Sequence, residues 1–156
     1  MYYYINHTSK FPYNTGIQRC VRSIARGLIS LNIPLKPVIW DFKNLSFVEP
    51  TNNDLYNLSC WSGPKISSWN FSNSDVVEGI NNWLFIPEIV SGPYQPSTLQ
   101  LLEASRKANL RVAWLFHDNI PLRMSDLYGE SRNKTYKYHE NYMKGLSYFD
   151  LVFINS

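Results

Sequence analysis

The sequence has little cysteine and no long apolar run, and each shortage excludes a class of protein. The two cysteines, Cys20 and Cys60, have no CxxC or CxxH neighbour, so they offer neither a metal site nor a redox pair. No stretch approaches the roughly 20 apolar residues that span a bilayer. The start of the chain also lacks the basic and apolar segments of a signal peptide. We therefore expect a cytoplasmic protein, either free or peripheral to the inner face of the membrane.

Charge is also scarce and scattered. Only 17% of the 156 residues are charged, and the net charge is +3. The basic residues form no dense run of the kind that binds nucleic acid, so we expect no nucleic-acid partner. His, Cys, Asp and Glu form no cluster with metal-ligand spacing.

Apolar segments, by contrast, are frequent and alternate between strand and helix patterns. The length is that of one domain, residues 1–156. Strand, helix and strand in succession predict an α/β fold, a Rossmann-like three-layer sandwich with a mainly parallel sheet joined by right-handed crossovers. The predicted strands are Tyr2 to Ile5, Leu35 to Trp40, Trp83 to Ile86, Val112 to Phe116 and Leu151 to Ile154.

The stretch RVAWLFHDNIPLR, from Arg111 to Arg123, carries the clearest functional pattern. Its apolar run is typical of a central strand that is buried on both faces, and it stops on His117 and Asp118. Ligands of open parallel sheets bind outside the carboxyl ends of the strands, so these two residues are candidate catalytic groups. The alternative is that Asp118 only caps a turn and His117 packs under a loop.

A second candidate is the start of the first predicted helix. Thr15 is a plausible N-cap and Gly16 follows it, and a helix N-terminus of this kind can bring backbone N–H groups up to a phosphate. The polar face of this helix carries Gln18, Arg19, Arg22 and Arg26. The alternative is a solvated basic face, with a glycine that merely eases a turn.

Glu88 is the third candidate, because it follows the strand Trp83 to Ile86 and so lies at the same sheet edge as His117. Its alternative is a surface carboxylate.

Residues Lys43 to Val77 show no lasting period and predict a loop-rich insertion with one or two short strands. A helix should begin at Ser97 and close at Asn109. On a further helix, from Asn133 to Leu146, His139 is more typical of a packing residue than of a ligand.

Four blocks in order, TGIQRCVRSIARGL, NNWLFIPEIV, RVAWLFHDNIPLR and YFDLVFINS, cover nearly the whole chain. Together they resemble the N-terminal domain of a family 4 glycosyltransferase of the GT-B fold. The resemblance is greatest to the bacterial sugar transferases that build O-antigen and other surface polysaccharides. It implies transfer of a sugar from a nucleotide-sugar donor to a glycan or lipid-linked acceptor, with no metal and no other cofactor.

The resemblance also implies a role for each candidate. His117 and Asp118 would face the reacting sugar as catalytic residues. Thr15, Gly16 and Arg19 would lie on the side of the donor phosphates, and Glu88 and Arg123 would shape the acceptor pocket. Asn6 departs from the family pattern, which usually has an acid there, and Asn119 stands where Leu is frequent.

The larger departure is that a GT-B enzyme has a second, nucleotide-sugar domain, which has no counterpart in these residues. The resemblance therefore implies half an enzyme, inactive or weak without a C-terminal GT-B domain or partner chain. Two other interpretations stay open: a noncatalytic partner subunit of a split transferase, and an unrelated nucleotide-binding domain. We also expect association, with a partner or as a homo-oligomer, through the edge that carries Gly16, Glu88 and His117 beside Trp61, Trp69 and Tyr94. The alternative is that the loops of the insertion from Lys43 to Val77 fold over this edge and cover it.

Overall fold

The computed structural model describes residues 1–69, 82–118, 123–124 and 132–154, with backbone only at 132–135. In these ranges the chain forms six strands, four α-helices and two short 3₁₀ helices. In chain order the strands and α-helices are β1 (Tyr2–Tyr4), α1 (Gly16–Ser30), β2 (Lys36–Asp41), β3 (Ser46–Val48), α2 (Asn52–Ser59), β4 (Trp83–Ile86), α3 (Thr98–Lys107), β5 (Arg111–Phe116), α4 (Arg132–Gly145) and β6 (Leu151–Ile154).

The strands form one sheet in the order β3-β2-β1-β4-β5-β6. All neighbouring pairs are parallel except β2 and β3, which are antiparallel. The chain leaves β1 toward β2 and later returns to place β4 on the other side of β1. The carboxyl ends of β1 and β4 therefore flank the point at which the strand order reverses, which is where open α/β sheets bind ligands.

Alternate side chains of the central strands enter two separate cores, one on each face of the sheet. Tyr3 and Phe85 pack on the face that α1 and α2 cover, together with Val21 and Leu58. Tyr4, Leu84 and Trp114 pack on the opposite face with residues of α3 and α4. Because both faces are covered at the centre of the sheet, β1, β4 and β5 are apolar on both sides over most of their length, as parallel strands are.

The predicted fold class is confirmed: the structure is a Rossmann-like three-layer α/β arrangement with a mainly parallel sheet. The five predicted strands are present with ends shifted by at most one residue. The helices expected after Ser97 and from Asn133 are also present, and Asn109 has the left-handed backbone that was expected of it, with a φ of 52°.

The insertion was predicted less well. Within its described part, residues 43–69, we expected loops and short strands, but the structure has the helix α2 beside the single strand β3. Thr51 caps α2 through a reciprocal pair of hydrogen bonds with Asp54. The helix has only eight residues, too few to produce a clear apolar period. Residues 70–77 of the predicted insertion lie outside the described ranges.

No helix in the described part of the chain is both long enough and apolar enough to cross a membrane.

Candidate active site

The candidate site lies at the carboxyl edge of the sheet, where Glu88 closes the crevice between β1 and β4. Glu88 is completely buried. Its two carboxylate oxygens accept hydrogen bonds from the backbone N–H groups of His7, at 2.8 Å, and Thr8, at 2.7 Å. The side chain that follows β4 therefore holds the loop that follows β1.

Burial raises the pKa of Glu88 above its ordinary value, and the hydrogen bonds from Thr8 and His7 act in the opposite direction. With both oxygens already bonded to the backbone, this carboxylate serves to position the loop. The expected role of Glu88 at an acceptor pocket is not tested by these contacts and stays a prediction. The interpretation of Glu88 as a surface carboxylate is wrong, because the residue has no exposed area.

The main chain of the same segment holds the end of β5. The carbonyl oxygen of Pro87 lies 2.6 Å from Nε2 of His117, and the carbonyl of Glu88 accepts from the indole N–H of Trp114 at 3.0 Å. A carbonyl only accepts, so Nε2 of His117 must carry the hydrogen in this contact. In the neutral ring, Nδ1 is then the nitrogen with the lone pair. We call Pro87 and Glu88 the clasp, because they join the exits of β1 and β5.

Asp118 and His139 extend the site toward α4. The ring of His139 is buried, and its Nε2 lies 3.1 Å from the backbone carbonyl of Asp118. Burial lowers the pKa of His139, against the opposing influence of Asp118. His139 also packs against Tyr142. These contacts fit the packing role expected of His139, and they fix the chain just beyond His117.

Sequence reasoning missed Asn6 and His7 as members of this cluster. Asn6 is buried, accepts from the backbone N–H of Trp40 at 3.1 Å and donates to the side chain of Gln95 at 3.2 Å. It therefore links the end of β2 to the loop after β4. The exposed His7 lies beside Glu88. The available signal was their place directly after β1, the same criterion that selected His117.

Thr15 and Gly16 form the expected helix entry. The hydroxyl of Thr15 accepts from the N–H of Gln18, whose side chain accepts from the N–H of Thr15. Gly16 is the first residue of α1, and it is exposed with open space around it. Arg19 is exposed one turn further on. These positions leave the N-terminus of α1 accessible, and phosphate binding there stays a prediction.

The polar face of α1 is not simply solvated. Gln18 and Arg22 are buried, and the guanidinium of Arg22 donates to the carbonyls of Tyr13 and Asn57, both at 2.8 Å. It also bonds the carbonyl of Leu58 at 3.3 Å. The interpretation of this face as a solvated basic surface is therefore wrong for Gln18 and Arg22. Arg22 instead joins α1 to the last turn of α2.

Arg123 is exposed, and only Met124 beside it is described in this part of the chain. Residues 119–122 and 125–131 lie outside the described ranges, so the described contacts do not connect Arg123 to this cluster. Its predicted role at the acceptor pocket stays a prediction.

The expected aromatic surface needs one correction: Trp61 and Tyr94 are exposed, but Trp69 is buried against Tyr3 in the core.

A groove of about 930 Å³ begins beside the site, between the loop after β4, α3 and α4. Its lining includes Gln95, which bonds Asn6, and Tyr142, which stacks on Phe116 directly before His117. Tyr138 and Asn141 add an aromatic ring and an amide.

The described residues contain no group of three or more His, Cys, Asp or Glu that could hold a metal ion.

The fold and the cluster at its strand-order reversal define the chain as a Rossmann-like α/β domain with a polar site at the carboxyl edge of its sheet. No family model, no curated protein and no solved structure matches the chain.

Proposed function

We propose that this domain is the acceptor-binding half of a glycosyltransferase that uses a nucleotide-sugar donor. The observation that carries the proposal is the placement of His117 at the carboxyl edge of the sheet, one strand away from the strand-order reversal, where Nε2 is bonded to Pro87 and Tyr142 of the groove lies on Phe116 directly before it. The ordered sequence blocks support it independently. Both point to one sheet edge, where chemistry in α/β proteins is usually found.

In this proposal Nδ1 of His117 orients or deprotonates the acceptor hydroxyl. An imidazole suits that task because its ordinary pKa lies near neutrality. The Pro87 carbonyl keeps the hydrogen on Nε2, so a neutral ring presents a basic Nδ1 without having to change tautomer. Asp118 follows it along the chain and carries the second polar group toward the reacting sugar.

The groove would hold the acceptor. Its volume of about 930 Å³ is within the range of ligand sites. The ring of Tyr138 offers an apolar face, and the amides of Gln95 and Asn141 offer donors and acceptors, a mixture that suits the hydroxyls and the C–H faces of a saccharide. In this proposal Glu88 and Arg123 shape the acceptor pocket. Glu88 does so by holding the loop of His7 and Thr8.

The open N-terminus of α1, with Thr15, Gly16 and Arg19, would approach the donor diphosphate. Helix N–H groups and a cation there stabilise the negative charge that develops on a phosphate leaving group. The rest of the donor site would come from a second domain, on this or another chain. The described residues alone should therefore bind nucleotide sugars weakly.

The first test is an NMR titration of the chain with a panel of neutral saccharides and nucleotide sugars. We expect saccharides to shift the amide signals of Gln95, Tyr138 and Asn141, and we expect no sugar turnover by the purified chain alone. Robust turnover by the chain alone would contradict the half-enzyme proposal. An absence of any saccharide-dependent shift would contradict the acceptor role.

The second test uses His117 in the chain assembled with a donor-binding domain. His117→Gln keeps an N–H that can reach the Pro87 carbonyl but has no group at the position of Nδ1, whereas His117→Ala removes both. If Nδ1 acts on the acceptor, both variants lose turnover to a similar degree. If His117 only supports the clasp, His117→Gln retains activity. Glu103→Gln, on the exposed face of α3, is the control.

A further inference from the structure

Three exposed aromatic side chains lie close together beside the entry of α1, and none of them has a role in the proposed sugar transfer. Phe11 is 49% exposed, Tyr13 is 62% exposed and Trp61 is 63% exposed. The rings of Phe11 and Tyr13 stack with centroids 5.5 Å apart and planes 13° apart. The indole N–H of Trp61 donates to the carbonyl of Pro12, between them, at 2.6 Å. We call these three residues the aromatic platform.

The platform is held in its exposed position by unusual backbone geometry. Trp61 and Ser62 have φ values of 54° and 66°, in the left-handed region that non-glycine residues rarely adopt. The next residue is Gly63, where a Cβ atom would collide with the carbonyl oxygen of Leu58. Strain of this kind persists only where the surrounding structure imposes it, and it concentrates at functional sites.

Arg22 gives the platform a rigid base. It binds the carbonyl of Tyr13 on one side and the carbonyls of Asn57 and Leu58, at the end of α2, on the other. Its other contact is the side-chain oxygen of Asn14, at 3.5 Å. All of these hydrogen-bond partners are neutral oxygens, so carbonyl and amide dipoles hold the guanidinium in place.

The surroundings of the platform are basic. The exposed cations on the segments that carry the platform include Arg19 and Arg26 of α1 and Lys65 beyond Trp61. Asp54 is buried and pairs with Lys10 at 3.3 Å. Arg26 donates to the carbonyl of Ser62, next to Trp61, and Lys65 is exposed four residues beyond Trp61. An anionic partner would therefore meet attraction from several cations.

We propose that the aromatic platform and its basic rim bind the surface of an anionic lipid bilayer. Aromatic rings that are half exposed and edged by Lys and Arg are the composition that anchors proteins at the lipid headgroup level. The platform rings line neither the groove between α3 and α4 nor the pocket beside β3, and they are about half exposed or more, so they suit insertion into a soft interface better than enclosure of a small ligand. This proposal does not depend on the proposed sugar transfer.

The test is co-sedimentation of the full chain with vesicles, because it needs no sugar donor or acceptor. We expect binding to vesicles of phosphatidylcholine with 30% phosphatidylglycerol, on the order of one acidic lipid in three, and little binding to phosphatidylcholine alone. Phe11→Ser combined with Trp61→Asn should weaken binding by about tenfold or more. Asn is chosen at residue 61 because it tolerates the left-handed backbone. Leu31→Ser, an exposed apolar position at the far end of α1, is the control and should bind normally.

A second arm tests the charge. Arg26→Gln with Lys65→Gln should weaken binding to anionic vesicles, and raised salt should do the same. Equal binding to both vesicle types, no binding to either, or unchanged binding by the Phe11 and Trp61 variant would overturn the proposal. Platform-dependent dimerisation in solution would overturn it in favour of a protein interface.

Discussion

At the scale of single residues, the carboxylate of Glu88 makes the contacts on which the shape of the site depends most. Each oxygen accepts one backbone N–H, from His7 and from Thr8. Glu88→Gln would turn an NH₂ group toward one of these donors and leave that N–H without an acceptor. We expect a loss of about 1–3 kcal/mol in the free energy of unfolding, measured by urea denaturation at pH 7.

The matched control is Glu103→Gln, which removes an exposed carboxylate from α3 and should change the free energy of unfolding by less than about 0.5 kcal/mol. Equal effects of the two substitutions would show that the hydrogen bonds of Glu88 do not hold the loop. An NMR comparison of the His7 and Thr8 amide shifts separates local release of the loop from a general loss of stability.

His139 should make the domain sensitive to mild acid. Burial lowers its pKa below the ordinary value of about 6.5. The unfolded chain therefore takes up a proton at a higher pH than the folded chain, and stability is lost as pH falls below about 6.5. We expect the free energy of unfolding to drop more between pH 7.5 and pH 5.5 in the natural chain than in His139→Gln. The same pH dependence in both proteins would contradict this assignment.

The positions of the site residues could be predicted from the sequence, but their partners could not. His117 and Glu88 stand directly after buried strands, and this alone places them at one edge of a parallel sheet. Nothing in the sequence tells that Glu88 is bonded to the loop after β1, because that contact joins residues 80 apart and depends on β4 lying next to β1. Asn6 and His7 stand directly after β1, so their positions carried the same signal as His117 and were overlooked, whereas their partners Gln95 and Glu88 could not be predicted.

At the scale of elements, the attachment of α2 to α1 depends on Arg22. Arg22→Met would keep much of the side-chain volume but leave the buried carbonyls of Asn57 and Leu58 without their donor. We expect a loss of at least about 2 kcal/mol in the free energy of unfolding, since a buried polar group without a partner costs about 1–3 kcal/mol. Hydrogen exchange should become faster at the amides of α2.

Arg26→Met is the control for Arg22, because Arg26 is exposed and makes one hydrogen bond, to the carbonyl of Ser62. We expect its effect on the free energy of unfolding to stay below about 1 kcal/mol. If Arg22→Met left both the stability and the exchange at α2 unchanged, the guanidinium would not be what holds the two helices together.

Helices that combine an apolar period with a strong cap could be predicted to within a residue or two, and α2 could not. The cap residues Thr15 and Ser97 mark the starts of α1 and α3, as expected. Thr51 and Asp54 form the same reciprocal cap at α2. The pattern was present, but eight residues with only Leu55 and Leu58 buried among apolar side chains give too little periodicity to separate a helix from a loop.

At the scale of the whole molecule, β6 is an exposed edge of the sheet in the described part of the chain. It pairs with β5 on one side, while Leu151, Phe153 and Ile154 remain exposed. Apolar edge strands tend to pair with other chains. We expect concentration-dependent self-association at micromolar concentrations, measured by light scattering, and we expect Ile154→Lys to reduce it.

Leu31→Lys is the control for Ile154, because Leu31 is similarly exposed but lies after α1, away from the sheet edge. A monomer at all concentrations, or an equal effect of the two substitutions, would contradict association through β6. Trp61 belongs to the aromatic platform, so sizing the Phe11 and Trp61 variant distinguishes the two surfaces.

The clasp also has a consequence for how the site forms. Glu88 of the clasp is bonded to Thr8, 80 residues away in the chain, and beside it Asn6 is bonded to Gln95, 89 residues away. Such contacts close long loops, so they form only after the central strands have paired. The loop of His7 and Thr8 should therefore become ordered late in folding, after β1 has paired with β4. An ordered site should then indicate complete folding more reliably than the presence of the surrounding helices does.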